Sequence, residues 1–183
     1  MPLRTTPFDS NTIASPADGV IWQIIRLNQK EASDDLEVRK RFLGKIKTLS
    51  SDVEKAAVVV SIFMSPLDPH VNWFPVAGKI VYTRHTSGAF SFAKSWNSFL
   101  NEKNEILIDA GSYHLKLIQI AGFLARRIEC WVYQGEQVSQ GEPFGMIRFG
   151  SQVSIVLPET VSLQVKTGQR VWGGETILGR VVT

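Results

Sequence analysis

The sequence predicts a mostly-β chain with minor α content, on three observations. Apolar residues come in short runs rich in β-branched side chains, such as Val20-Ile21-Trp22-Gln23-Ile24-Ile25 and Val58-Val59-Val60-Ser61-Ile62-Phe63-Met64. From residue 128 onward, turn residues interrupt such runs at short intervals. An octapeptide also recurs. Gly135-Glu136-Gln137-Val138-Ser139-Gln140-Gly141-Glu142 and Gly168-Gln169-Arg170-Val171-Trp172-Gly173-Gly174-Glu175 share Gly, Val, Gly and Glu at positions one, four, seven and eight.

In chain order, residues 1–14 read as an irregular arm, and residues 15–183 read as one domain. Ser15-Pro16-Ala17-Asp18-Gly19 is a turn feeding the strand over residues 20–25. Over residues 31–57 the pattern changes. Asp34-Asp35 offers a helix cap, and Leu36, Leu43, Ile46 and Leu49 recur near helical spacing among lysines and arginines. The run at residues 58–64 is a buried strand. It enters Ser65-Pro66-Leu67-Asp68-Pro69-His70, where two prolines forbid ladder pairing and fix a loop. A strand is predicted from Val76 to Thr83. A flap or short helix follows within residues 86–104, and then a hairpin about Ala110-Gly111-Ser112.

The repeat has a second part: Ala17-Asp18-Gly19-Val20-Ile21 echoes Val76-Ala77-Gly78-Lys79-Ile80. Strand, glycine turn and strand, repeated, is how small barrel-sandwich hybrids of the lipoyl and biotinyl type are built. The expected core is therefore such a barrel, carrying a helical or flap insertion. A swinging-arm carrier is disfavoured, because no lysine sits at a hairpin tip between valine-rich strands.

With 44% hydrophobic and 20% charged residues, the chain has enough apolar material to fold. Its net charge of +3 is too small to argue for a nucleic-acid partner, and no arginine- or lysine-rich arm stands out. The single cysteine, Cys130, alternates with Ile128 and Val132 and reads as a small core residue in a reducing, cytoplasmic setting. One cysteine and three histidines exclude a cysteine-rich zinc site, and no metal is expected. No stretch approaches the roughly 18 apolar residues of a spanning helix.

The chemistry centres on Arg148-Phe149-Gly150-Ser151-Gln152-Val153. Ser151 has the parity of Val153, Ile155 and Leu157, so its hydroxyl is predicted to face the packed side of a strand. Gly150 has no Cβ, which leaves its carbonyl open to attack by a neighbouring hydroxyl. Such an attack converts the amide to an ester and opens a route to self-cleavage.

Three segments together resemble the phosphatidylserine decarboxylase family: residues 15–19, Phe63-Met64-Ser65-Pro66-Leu67-Asp68-Pro69-His70-Val71-Asn72, and Arg148-Phe149-Gly150-Ser151. Residues 120–128 are similar to the family's short prokaryotic branch, which includes archaeal-type enzymes. The resemblance implies a chain that cuts itself between Gly150 and Ser151 and turns Ser151 into a pyruvoyl group. That ketone would take the amine of a serine phospholipid and withdraw electrons as CO₂ leaves, giving phosphatidylethanolamine. It further implies His70 as a general base or proton carrier, Asp18 as the acid orienting it, and no cofactor beyond the group made from Ser151.

Two positions depart from the family's longer branch. Gln152 follows the serine where that branch has threonine, and Trp73 stands where it has a second histidine. The short relatives often begin with an apolar membrane segment. Without one, access to lipid at the inner face of the cell membrane is expected through Trp73, Phe74, Phe90, Phe92 and Trp96. Two other readings stay open: an uncut barrel that binds without catalysis, and a pyruvoyl decarboxylase of a soluble amino acid. Assembly into homo-oligomers is possible on either view.

Overall fold

The computed structural model describes residues 4–7, 9, 11–27, 52, 53, 57–88, 100–122, 127–147 and 151–182. Within them the chain is almost entirely strand. In order these are β1 (Thr12–Ala14), β2 (Gly19–Leu27), β3 (Ala57–Met64), β4 (Val71–Trp73), β5 (Gly78–Thr86), β6 (Lys103–Asp109) and β7 (His114–Ile120). They continue with β8 (Ile128–Cys130), β9 (Gln137–Val138), β10 (Pro143–Ile147), β11 (Ser151–Pro158), β12 (Val161–Leu163), β13 (Arg170–Val171) and β14 (Ile177–Val181). The predicted helix within residues 31–57 falls outside the described residues, apart from Asp52 and Val53 and the first residue of β3. The flap residues 89–99 also fall outside them.

Eight strands form one antiparallel sheet in the order β13-β2-β3-β11-β7-β6-β5-β9. Two three-stranded sheets, β1-β14-β12 and β4-β10-β8, complete the described fold. This order reads the same from both ends. Strands β13, β2, β3 and β11 on one side answer β9, β5, β6 and β7 on the other, and β1, β14 and β12 answer β4, β10 and β8.

The recurring octapeptide is the visible part of that symmetry. Gly168 N donates to Ile21 O and Ile21 N to Gln169 O, just as Gly135 N donates to Ile80 O and Ile80 N to Glu136 O. Gly19 pairs with Val171 as Gly78 pairs with Val138. The turns need glycine for the same reason in both halves: φ is +91° and +78° at Gly135 and Gly141, and +87° and +75° at Gly168 and Gly174.

The main core lies on one face of the large sheet and holds Ile62, Met64, Ile106, Leu117, Val153, Ile155 and Leu157 with Phe74 and Phe144 from the small sheet. The other face carries a second apolar cluster around Val59, Ile118, Ile120 and Val156. Buried Lys116 stands beside it, 2.8 Å from Asp52 and 3.5 Å from Glu105. Asp52 also accepts from the Tyr82 hydroxyl, and burial together with that carboxylate pushes the phenol well above its ordinary range.

Three expectations need correction. The arm is not irregular throughout: Thr12–Ala14 is a buried strand paired with β14. The strand after Phe74-Pro75 is shifted, running over Gly78–Thr86. Trp73 and Phe74 do not form a lipid-facing surface, because they are 2% and 0% exposed. Val71 and Asn72 place Trp73 on a strand pinned to β10, and its ring packs against Gly173 beneath the Arg4 guanidinium. Phe90, Phe92 and Trp96 lie outside the described residues.

Candidate active site

The ends of two connections meet at one end of the large sheet. The first, residues 65–70, leaves β3 and enters β4. The second, residues 148–150, leaves β10 and enters β11. They are bracketed by two pairs: Met64 is the register partner of Ser151, and Ile147 N donates to His70 O at 3.1 Å. Ser151 and the His70 loop are thus brought to one place although 81 positions separate them in sequence. Gly150 itself lies outside the described residues.

Ser151 opens β11 on the face shared with Val153, Ile155 and Leu157, as its parity predicts. It is fully buried, and its Oγ has no hydrogen-bond partner among the described residues. A buried hydroxyl is ordinarily paired, since leaving one unpaired costs roughly 1–3 kcal/mol. A buried hydroxyl left unpaired at the head of a strand therefore calls for a reason of its own.

Asp68 holds the loop. Its carboxylate accepts from Ser65 N at 2.7 Å and from the Arg170 guanidinium, and Asp68 N donates back to Ser65 O at 3.0 Å. Burial alone would raise this carboxyl, but the Ser65 hydroxyl and N–H and the Arg170 charge together hold it below its ordinary range. The sequence shows Asp68 only as a turn residue; nothing there reveals that Arg170, 102 positions away, closes on it.

Asp18 is buried, and its two oxygens take Arg4 Nη2 at 2.8 and 2.7 Å, with Gly173 N–H as a further donor. Burial pushes this carboxyl above its ordinary range, and Arg4 opposes that only in part. Among the described residues its hydrogen-bond partners are Arg4 and Gly173. The charge of Asp68 also acts on it, which places Asp18 beside the loop that carries His70.

Gln152 alternates to the opposite face. Its Oε1 accepts from Trp22 Nε1 at 3.0 Å, and its Nε2 donates to Ser154 Oγ at 2.8 Å, which meets Ser61 Oγ at 2.9 Å. The departure at this position is thus a buried clamp on the strand behind Ser151.

The profile of the phosphatidylserine decarboxylase family matches residues 1–179. The chain belongs to the phosphatidylserine decarboxylase family. It is 43% identical over 180 residues to a phosphatidylserine decarboxylase proenzyme of Chlorobium phaeobacteroides, covering 98% of this chain and 75% of that one. A provisionally named archaetidylserine decarboxylase proenzyme of Methanothermobacter thermautotrophicus is 41% identical, covering 98% and 77%. A phosphatidylserine decarboxylase proenzyme of Carboxydothermus hydrogenoformans is 40% identical, covering 98% and 76%. Membership in the phosphatidylserine decarboxylase family fits the bracketed Ser151 and His70 connections. Among the described residues, no helix is long and apolar enough to cross a membrane.

Proposed function

We propose that the chain is a proenzyme that cuts itself at Gly150–Ser151 and then decarboxylates the head group of a serine phospholipid. The observation that carries this is the unpartnered, buried Ser151 Oγ opposite Met64, beside the loop ending at His70. Serine is a poor nucleophile until a base takes its proton. His70 is assigned that role, with the Asp68–Arg170 pair holding its loop and the Asp18–Arg4 pair steadying the wall beside it. Oγ attacks the Gly150 carbonyl carbon, the C–N bond breaks as the C–O bond forms, and the proton taken from Oγ ends on the residue 151 nitrogen. Loss of the Ser151 α-proton then expels the Gly150 carboxylate, and hydrolysis with loss of ammonia leaves a pyruvoyl group at residue 151.

When present, that group supplies the electron sink for CO₂ loss. The chain's own contribution is position and a dry setting. β11 is buried along its whole length between β3 and β7, so residue 151 is held inside the fold, away from bulk water.

The substrate reaches this place from a membrane surface. Leu67, at the tip of the loop, is 96% exposed, and Trp172 is half exposed one residue past β13. Arg170, two residues before Trp172, is bonded to Asp68 of the Leu67 loop and is still open to solvent. An apolar pair flanking a cation suits an anionic bilayer interface. Leu67→Asp is expected to weaken binding to phosphatidylserine vesicles by about tenfold, the worth of removing one such side chain from the interface. Unchanged sedimentation with vesicles would remove this face from the reading.

The deciding experiment is the intact denatured mass of purified protein. Two chains are expected, one ending at Gly150 and one of residues 151–183 carrying pyruvoyl mass at its head. Ser151→Ala is expected to remain a single chain that releases no CO₂ from phosphatidylserine. A cut or active Ser151→Ala protein overturns the mechanism.

A further inference from the structure

Three buried side-chain amides run from β6 to the neighbourhood of Ser151. Asn104 Nδ2 donates to Gln119 Oε1 at 3.0 Å, and Gln119 Nε2 donates to Asn72 Oδ1 at 2.9 Å. Asn72 Nδ2 then faces Met64 Sδ at 3.7 Å. Asn104 and Gln119 alternate with Glu105 and Ile118 and so share the inner face with Ser151.

Such a chain can run in either direction, and here a backbone carbonyl sets it. Gln119 Nε2 also lies 3.4 Å from Glu129 O, which can only accept. The nitrogen end of Gln119 therefore belongs there, and its oxygen turns to Asn104. Asn72 must then offer Oδ1 to Gln119 and aim its NH₂ at the sheet end where Met64 pairs with Ser151. Glycine at 145 permits the approach: a Cβ there would lie 2.2 Å from Glu129 O and 3.0 Å from Gln119 Nε2.

The result is a fully buried NH₂ whose acceptor is a thioether, a weak one. It is one side chain away from a fully buried hydroxyl that has no partner. Both groups are under-satisfied, and Met64 is the contact of one and the register partner of the other, so hydrogen-bonding capacity is held in reserve.

We propose that Asn72 is a catalytic donor that hydrogen-bonds the oxygen of residue 151, with Gln119 and Asn104 as positioning residues that fix the polarity of its amide. This rests on Ser151 being the nucleophile. As the Ser151 proton passes to the base, an Asn72 N–H leaves the sulfur for Oγ and stabilises the negative charge growing there. After cutting, the same N–H serves the carbonyl oxygen at residue 151. Asn72 makes and breaks no covalent bond. A hydrogen bond that eases ionisation of the attacking oxygen is worth on the order of 10–10² in rate.

The test follows cutting of freshly synthesised full-length chain by intact mass, with folding checked by thermal melting. Asn72→Asp keeps the acceptor for Gln119 and places a second acceptor toward residue 151, so cutting at pH 8 is expected to fall about a hundredfold. It should recover relative to wild type toward pH 5, as the protonated carboxyl donates again. Dividing by the wild-type rate at each pH leaves only the pH dependence that the substitution introduces. Gln119→Glu forces the Asn72 amide to turn and should show the same fall and the same recovery. Asn72→Leu should be slow at every pH. Wild-type cutting by Asn72→Asp at pH 8, or equal slowness of all three without recovery, overturns the proposal. A wild-type chain that never cuts overturns the Ser151 reading itself, and this one with it.

Discussion

At the residue scale, Asp68 makes a pH prediction. Its carboxyl is held below the ordinary range in the folded chain, chiefly by Ser65 and Arg170 acting against burial. The stability it adds is therefore complete above the unfolded value near 3.9 and is lost as pH falls through the lower folded value. Asp68→Asn is expected to melt roughly 3–8 °C below wild type at pH 6, the worth of a few buried hydrogen bonds. That gap should close as pH drops toward 3. A gap independent of pH, measured by melting curves, would assign Asp68 a packing role only. Ser151 was legible in sequence because strand parity is local: a residue two before Val153 faces where Val153 faces. Trp73 was not, since its burial depends on Gly173 and Arg4, brought in from both ends of the chain. The partners of Asp18 were hidden for the same reason.

At the element scale, β11 is the strand that carries Ser151. It pairs with β3 along eight positions and with β7 along five, and every one of its residues is buried. Ile155→Ala, in the middle of the main core, is expected to cost about 2–5 kcal/mol in urea unfolding. A cost below 1 kcal/mol would mean the core repacks freely around it. The strands at residues 20–25, 58–64 and 115–120 could be read because β-branched runs and their flanking turns are local signals. The short strands β4, β8, β12 and β13, of two or three residues, could not, because cross-strand partners define them and their own sequence carries little periodicity. The octapeptide was visible, yet it marked only the turns; the full seven-by-seven match of strands appears only once the sheet order is known.

At the scale of the whole molecule, a cut between residues 150 and 151 severs the chain without opening the fold. The downstream piece keeps β11 between β3 and β7, β13 beside β2, and β14 beside β1. The two pieces are expected to migrate as one species by size exclusion in native buffer and to separate only in denaturant. Separation in native buffer would mean that β11 alone holds too little of the interface.

The symmetry of strand order has a further consequence. Asp109 and His114 are paired as Met64 and Ser151 are, at the matching ends of β6–β7 and β3–β11. In one case four residues bridge the pair, with Ala110 N bonded to Tyr113 O, and the end is sealed. In the other the chain departs to two different strands, β4 after Met64 and β10 before Ser151. The protein therefore carries a closed twin of the end at which Ser151 stands, built from the same two-strand frame. On the proposed mechanism, the reaction belongs to the end that was left unjoined.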